Sequence, residues 1–388
     1  MMSAAELILA TGSAPAAPAT GRVTLYAGTD NKLYLKDAAG TAEQVGTGGA
    51  SAPYLWRNAL LNGGFALWQR QNDPATATEY GDDAYCADRW YVLTQSGPID
   101  AQRIDGSAQR YAARLTQKQT TAQQIGLAQI IEGVNCRHLR GQSVTLSARV
   151  RCSAACTARI AVLEWAGGED SVTSDVVADW ANWTLAANVS APGAIVSTSL
   201  NAAAWAELEQ TVTLGNTFTN LIVFVWTSAL DTSATLDLEA LQLERGSAVT
   251  PFEVRPVGGE LALCQRYYQV FHPGNAYFVA YAWAGLNSIY VQTVPLHVEM
   301  RVAPGVTDTN PSWSAGFPGT DNAASFYPPG SPPYVTTTGT FDISYGASVS
   351  TLYMEYKSSH DDFAGCAAGD VGRATFGTAY RAYLDAEL

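Results

Sequence analysis

Val144, Leu146, Ala148 and Val150 alternate residue by residue with Thr145, Ser147, Arg149 and Arg151. A period of two puts the first set on one face of an extended chain and the second set on the other, so the segment predicts a half-buried β-strand. The same signature recurs along the chain. Leu236 and Leu238 face inward with Asp237 and Glu239 outward, and Ile160, Val162 and the unbroken apolar run Leu221 to Trp226 add further segments of strand length. With 34 Gly and 17 Pro scattered between these runs, helical periodicity is rarely sustained, and the expected fold class is all-β.

At 388 residues the chain exceeds what one hydrophobic core usually serves, which favours two or three domains. An apolar fraction of 47% against 15% charged residues excludes a disordered chain. The net charge of -13 opposes attraction to phosphate backbones, so no nucleic-acid partner is expected. No window approaches the ~20 consecutive apolar residues of a spanning helix, so no membrane insertion is expected either. The opening MMSAAELILATGSAPAAPATG lacks a basic n-region and is interrupted by Glu6, unlike a secretory signal. Six scattered cysteines predict buried thiols rather than a disulfide scaffold. Cys152 and Cys156 have the spacing of half a zinc site, but no second Cys or His pair completes it, and no metal ligand set is assigned.

Four regions follow from composition. Residues 1–20, rich in Ala, Pro and Gly, predict an extended N-terminal arm. Residues 21–52 form a small β-unit and linker: Val23, Leu25, Leu33 and Leu35 alternate with polar residues around a Thr29-Asp30-Asn31 turn, and Gly46 to Pro53 is linker-like. One such hairpin needs support from elsewhere to be stable. Residues 53–255 predict a β-sandwich of jelly-roll type. Residues 256–388 begin with Leu261, Cys264, Tyr268 and Phe271 at three- and four-residue intervals, which predicts a short amphipathic helix. A C-terminal β-sandwich with a Pro-rich loop from Ala303 to Pro333 completes the chain.

Several separated segments carry a resemblance: PATGRVTLYAGTDNKLYLKDAAG at 18–40, NGGFALWQR at 62–70, YCADRW at 85–90, QLERGSAVTPFEVRPVGGELALCQRYY at 242–268, VPLHVEMRVAP at 294–304, and the final LDAEL. In this order and spacing the chain resembles phage tail-fibre and appendage proteins with a carbohydrate-binding-module-like jelly-roll domain. The resemblance implies a virion structural protein, in a tail or head fibre assembled in the host cytoplasm. It implies a homotrimer whose N-terminal segment is for virion attachment, through other virion proteins, and whose C-terminal domain faces the host. Receptor binding would be to a host cell-surface polysaccharide. Analogy with carbohydrate-binding modules admits a structural calcium ion, with Asn62 or Asp237 as oxygen ligands; no other cofactor is expected.

Glycan binding calls for aromatic rings in loops, which stack on the apolar face of a sugar while nearby polar groups bond its hydroxyls. Trp313, Phe317, Tyr327 and Tyr334 lie in the Pro-rich loop, interleaved with Asp308, Asn310, Asp321 and Asn322, and form the first candidate patch. Trp165, Glu169 and Asp170, together with Trp180 and Trp183, form a second. Packing within the protein or against a neighbouring subunit is the alternative role for both sets. No catalytic residue is assigned: the four histidines lie far apart, and G-x-S-x-G, P-loop and H-E-x-x-H motifs are missing from the sequence. Glycoside hydrolysis would need two carboxyl groups about 5–10 Å apart, and the adjacent pairs Glu169-Asp170 and Asp361-Asp362 suit solvated turns instead. A virion-associated depolymerase and a purely architectural collar protein stand as the alternatives to a glycan-binding fibre.

Overall fold

A computed structural model describes residues 11–20, 22–29, 32–44, 56–271, 277–282, 288–291, 294–308, 313–314, 340–358, 371–375 and 382–388. The chain divides into two units, Met1–Trp56 and Arg57–Leu388. The second unit therefore contains both regions that the sequence divides at 255/256.

In the first unit, strands Thr24–Ala27, Leu33–Lys36 and Ala42–Gln44 form an antiparallel sheet in chain order. The expected hairpin is present, closed by a hydrogen bond from the Gly28 amide to the Lys32 carbonyl at 2.7 Å. A third strand extends it, because Asp37 and Gly40, the latter at φ +87°, supply a second tight turn. Tyr26 lies opposite Tyr34 with the rings stacked at 5.4 Å, whereas Leu25 lies opposite Leu35 and both are 39% exposed.

In the second unit, one sheet runs in the order Val189–Ser190, Cys156–Trp165, Asn220–Thr227, Ile125–Ile131 and Tyr91–Thr94, with Val196–Leu200 also paired to Cys156–Trp165. The other runs Trp205–Thr213, Ser143–Cys152, Thr235–Arg245, Tyr111–Thr116, Ile99–Asp105 and Thr78–Tyr80. All pairings are antiparallel. The two sheets enclose a core that includes Val144, Leu146, Ala148 and Val150 from the second sheet and Ile160, Val162, Val223 and Val225 from the first. This is the alternation expected from sequence.

The closing strand departs from it in two ways. Leu236, Leu238, Leu241 and Leu243 all enter the core, because a bulge between Glu239 and Gln242, with Ala240 at φ +55°, absorbs the odd residue. Asp237 and Glu239 do lie on the opposite face, but they are only 1% and 0% exposed rather than solvated. Asp237 accepts hydrogen bonds from Arg114 Nε at 2.7 Å and from Arg151 Nε at 2.9 Å. Glu239 accepts from the Ser107, Ala108 and Gln109 amides at 2.8, 3.1 and 3.4 Å and pairs with Arg149. Burial by itself would raise the Glu239 pKa, yet these amide donors hold it below its ordinary value.

The Asn62-Gly63-Gly64 segment clips onto the same strand. The Leu241 amide donates to the Gly63 carbonyl at 3.0 Å, and a β-carbon on Gly63 would sit 2.1 Å from the Leu241 oxygen, so only glycine permits the approach. Asn58 Nδ2 donates to the same Leu241 oxygen at 3.0 Å, while Asn58 Oδ1 accepts from the Leu243 amide at 3.0 Å.

The helix expected across Leu261 to Phe271 spans Val257–Gln265 only. Tyr268–Phe271 is instead a strand, paired with Ala382–Asp385, since its aromatic and β-branched residues satisfy a long-range ladder that a helical turn would forfeit. Gly305–Asp308 adds to the other side of Ala382–Asp385. A larger sheet follows the order Trp313–Ser314, Thr340–Ala347, Thr351–Ser358, Ser288–Val291, Tyr277–Ala282 and Val371–Thr375. Met300, Leu352, Leu384 and Ala386, with Phe271 and Val306, fill the space between these two sheets.

Three of the sequence motifs meet where this region joins the jelly roll. Arg89 of YCADRW, 1% exposed, forms an ion pair with Glu387 of the terminal LDAEL. Its Nη2 donates to the Ile130 carbonyl at 2.6 Å, and its guanidinium lies 3.6 Å from the ring centre of Tyr267. Arg70 covers the Tyr268 ring at 3.8 Å and pairs with Asp385 at 3.1 Å and Glu387 at 3.3 Å. Glu132, also buried, accepts from Tyr267 Oη at 2.9 Å and Arg266 Nη2 at 2.8 Å. Substituting Arg89→Ala leaves the Ile130 carbonyl without its donor and Glu387 with Arg70 alone, and a loss of about 1–3 kcal/mol is expected in urea unfolding; an unchanged midpoint would show that the pair does not join the two regions.

Candidate functional site

The strands Asn220–Thr227 and Ile125–Ile131 are buried along their whole length. Leu221, Val223 and Val225 enter the core between the sheets, whereas Ile222, Phe224 and Trp226 enter a second cluster on the outer face with Tyr91, Leu93, Ile130, Leu163 and Trp165. A strand covered on both sides carries an unbroken apolar sequence, which is why NLIVFVWT lacks alternation. The cover is the excursion between Trp165 and Val196, which contains a small hairpin, Val177–Asp179 with Thr184–Leu185. Its base is closed by the Ala166 amide donating to the Asn188 carbonyl at 2.9 Å.

The tip of that hairpin presents two half-buried tryptophans. Trp183, at φ +55°, stacks on Trp226 with ring centres 4.4 Å apart and planes within 11°; Phe224 stacks on Trp226 at 4.5 Å. Trp180 meets Trp183 and Phe224 edge-on, each at 6.0 Å. The turn is rigid because Asp179 accepts from the Ala181 and Asn182 amides at 2.8 and 3.1 Å and from Asn182 Nδ2 at 2.8 Å. These bonds, that of the Asn182 side chain foremost, hold the Asp179 carboxyl below its ordinary pKa. Gln124 Nε2 donates to the Trp180 carbonyl at 3.1 Å and ties the tip to the sheet.

Beside this aromatic group stand Asp82, Asp83 and Asp175. Asp82 accepts from the Thr94 amide at 2.7 Å, and burial raises its pKa. Burial, aided by the charges of Asp82 and Asp175, lifts Asp83 from the ordinary 3.8 to about 6. Tyr91, fully buried, packs its ring 5.4 Å from that of Tyr85. Burial, with Tyr85, Asp83 and Asp175 nearby, pushes its hydroxyl well above the ordinary pKa. Tyr91 Oη, Asp83 Oδ1 and Trp226 Nε1 are all buried without a hydrogen-bond partner. The face thus combines the flat area of Trp180 and Trp183 with the exposed carboxylates of Asp82 and Asp175, groups that suit a polyhydroxylated ligand, while Tyr91 and Trp226 lie beneath it.

The residues singled out from sequence fall in different places. Trp165 is 7% exposed, belongs to the outer cluster and donates Nε1 to the Gly168 carbonyl at 2.9 Å. Asp170, at φ +57°, accepts from the Gly133 amide at 2.8 Å and Asn220 Nδ2 at 2.6 Å, and the exposed Glu169 pairs with Arg137. These three pin the base of the excursion; Trp180 and Trp183 occupy its tip. Trp313 begins the short strand Trp313–Ser314, opposite Phe341. Phe317, Asp321, Asn322, Tyr327 and Tyr334 lie outside the described residues, as do Asn310, Asp361 and Asp362. Asn62 uses its amide on the Leu67 and Asp88 carbonyls at 2.8 and 3.1 Å, and Asp237 is engaged by Arg114 and Arg151. Among the described residues no group of three or more His, Cys, Asp or Glu side chains is arranged to hold a metal. Asp82, Asp83, Asp175 and Tyr91 were missed in the sequence; the adjacent acidic pair after Gly81 was the available signal, but nothing local connects it to Asp175.

No protein-family model and no curated protein matches the chain in sequence. Among solved structures it is similar to TmCBM61 in complex with beta-1,4-galactotriose, at 12% identity over 49% of this chain and 99% of that one, with a TM-score of 0.28. The CBM22-1 xylan-binding domain from Paenibacillus barcinonensis Xyn10C is similar over 46% of this chain and all of its own, at 11% identity and a TM-score of 0.27. The enzymatically active domain of Bacteriophage CBA120 tailspike protein 4 is similar over 49% of this chain and 22% of that one, at 11% identity and a TM-score of 0.28.

The raised pKa of Asp83 has a sign that can be checked. The unfolded chain ionises this group first, so its contribution to stability is complete below about pH 4 and is lost as pH rises to about 6. Asp83→Asn, which tolerates the native φ of +63°, removes that loss. The melting temperature of the variant relative to wild type is expected to climb between about pH 4 and about pH 6 and then level off, and a difference independent of pH would rule out the shift.

Proposed function

We propose that this chain is a structural subunit of a phage virion fibre, assembled as a homotrimer, that attaches to a host cell-surface glycan through the Trp180–Trp183 face of its jelly roll. The observation that carries the binding reading is the pair of half-buried tryptophans at the tip of the excursion, held in place by Asp179 and backed by Trp226 and Phe224. A sugar ring stacks on such a surface without requiring it to reorganise, and preorganisation lowers the entropic cost of binding. Asp82 and Asp175, exposed at its side, accept hydrogen bonds from sugar hydroxyls.

The fibre reading rests on the order and spacing of the sequence motifs. Their convergence in the fold supports it: the 62–64 segment clips the closing strand, and Arg89, Tyr267 and Glu387 gather motifs from three separated parts of the chain. The exposed Leu25–Leu35 pair of the first unit suits a subunit whose copies cover it. Three linked sites also convert a weak single contact into avidity.

Binding of isolated host polysaccharide by the wild-type chain and by Trp180→Ala and Trp183→Ala variants tests this reading. A loss of about tenfold or more, equivalent to ~1.4 kcal/mol or more, is expected for each, with the circular dichroism spectrum unchanged. Light scattering of the same preparation should give three times the 41.2 kDa chain mass. Undiminished binding by folded variants moves the site away from this face, a monomer removes the trimer, and new reducing ends in the polysaccharide would replace attachment with depolymerisation.

A further inference from the structure

Cys152 ends a strand of the second sheet and Cys156 begins a strand of the first, so the three residues 153–155 carry the chain from one layer of the sandwich to the other. The turn is held from outside by one segment. Leu200 pairs with Cys156, and three residues later the Ala203 amide donates to the Cys152 carbonyl at 2.7 Å. From the other side, the Ser153 amide donates to the Thr235 carbonyl at 3.0 Å and the Ser228 amide to the Thr157 carbonyl at 2.7 Å. Both side chains turn inward: Cys152 is buried in the sandwich core and Cys156 packs against that core while keeping part of its surface in solvent.

We propose that Cys152 and Cys156 are a redox pair that closes to an intramolecular disulfide by exchange with a small-molecule disulfide, stapling the two sheets at this turn. The two side chains stand at the ends of one three-residue turn and meet the same core cluster, where each shifts the titration of the other. The neighbouring Cys152 thiol, with Arg159 nearby, pulls the Cys156 thiol down in pKa, although burial opposes it. Cys86, Cys136 and Cys264 are pushed up by burial, so Cys156 is the best thiolate among the described cysteines as well as the most accessible.

The chemistry balances without another reagent. The Cys156 thiolate attacks one sulfur of the oxidant RSSR, its S–S bond breaks, and the departing RS⁻ takes up a proton. Cys152 then loses its proton to solvent and attacks the Cys156 sulfur, expelling the second RS⁻, which is protonated in turn. The protein dithiol is oxidised and RSSR is reduced to two RSH. The ring closed by this bond is short, so little chain entropy is removed from the unfolded state, and the effect is a local lock between layers rather than a large gain in stability.

Oxidised glutathione is a suitable probe. The native full-length protein is incubated with it, then denatured, alkylated, and digested without reduction. Four of the six cysteines are expected to remain alkylatable, with a linked Cys152–Cys156 peptide lighter by two hydrogens than its reduced form. In the Cys152→Ala variant the reaction should stop at a glutathione adduct on Cys156. The wild-type digest decides the matter even if the variant fails to fold. Six alkylated cysteines, or a glutathione adduct persisting on Cys156 of the wild-type chain, would overturn the proposal.

Discussion

Arg89 carries a permanent charge into a site that water hardly reaches, and the second unit is organised around satisfying it. Such a charge is tolerated only where an opposite charge and hydrogen-bond acceptors are already in place. Here the carboxylate comes from Glu387, the carbonyl from Ile130 and the aromatic face from Tyr267. These partners derive from the jelly roll, from the segment after the helix and from the end of the chain, so the charge is matched only when all three are assembled, with both Nη groups bonded and Nε buried without a partner. The ion pair specifies assembly more than it adds stability, since an apolar contact of the same volume would be at least as favourable.

The jelly roll follows the same logic with apolar groups. Its first sheet is covered on both faces, by the second sheet on one side and by the 166–195 excursion on the other. Covering the outer face with a hairpin instead of a third sheet leaves the tip of the hairpin at the surface, and that is where Trp180 and Trp183 stand. The aromatic platform is therefore a by-product of how the outer face is buried: Trp226 and Phe224 need cover, and the rings that supply it retain one exposed side.

Much of this architecture was legible in the sequence because burial writes itself as periodicity. The alternation from Val144 to Val150 marked a strand and its inward face, and the unbroken run Leu221 to Trp226 marked a strand, whose burial on both faces only the fold shows. Local pattern failed where distant partners decide. Tyr268 and Phe271 have helical spacing but are drawn into a ladder with Ala382–Asp385, and Asp237 and Glu239 read as solvated until Arg114, Arg149, Arg151 and the Ser107–Gln109 amides close over them. The candidate site was half legible. Trp180 and Trp183 stand out as large rings in a polar loop, whereas the meeting of Asp82, Asp83 and Tyr91 with Asp175 is a property of the folded chain alone.

The pinning of the excursion at its base has a consequence for how such a surface can change. Asp170 is bound to Asn220 and Gly133, Trp165 to Gly168, and Ala166 to Asn188, so the crossing from sheet to hairpin is fixed before the tip begins. Side chains at the tip are separated from the inner core by the full thickness of the first sheet, but Trp183 and Trp180 pack directly on Trp226 and Phe224, so changes at these rings are coupled to the outer cluster. Only replacements that keep Trp226 and Phe224 covered leave the sheet beneath undisturbed. The exposed side of each ring is free to vary while its inner side is committed to the fold.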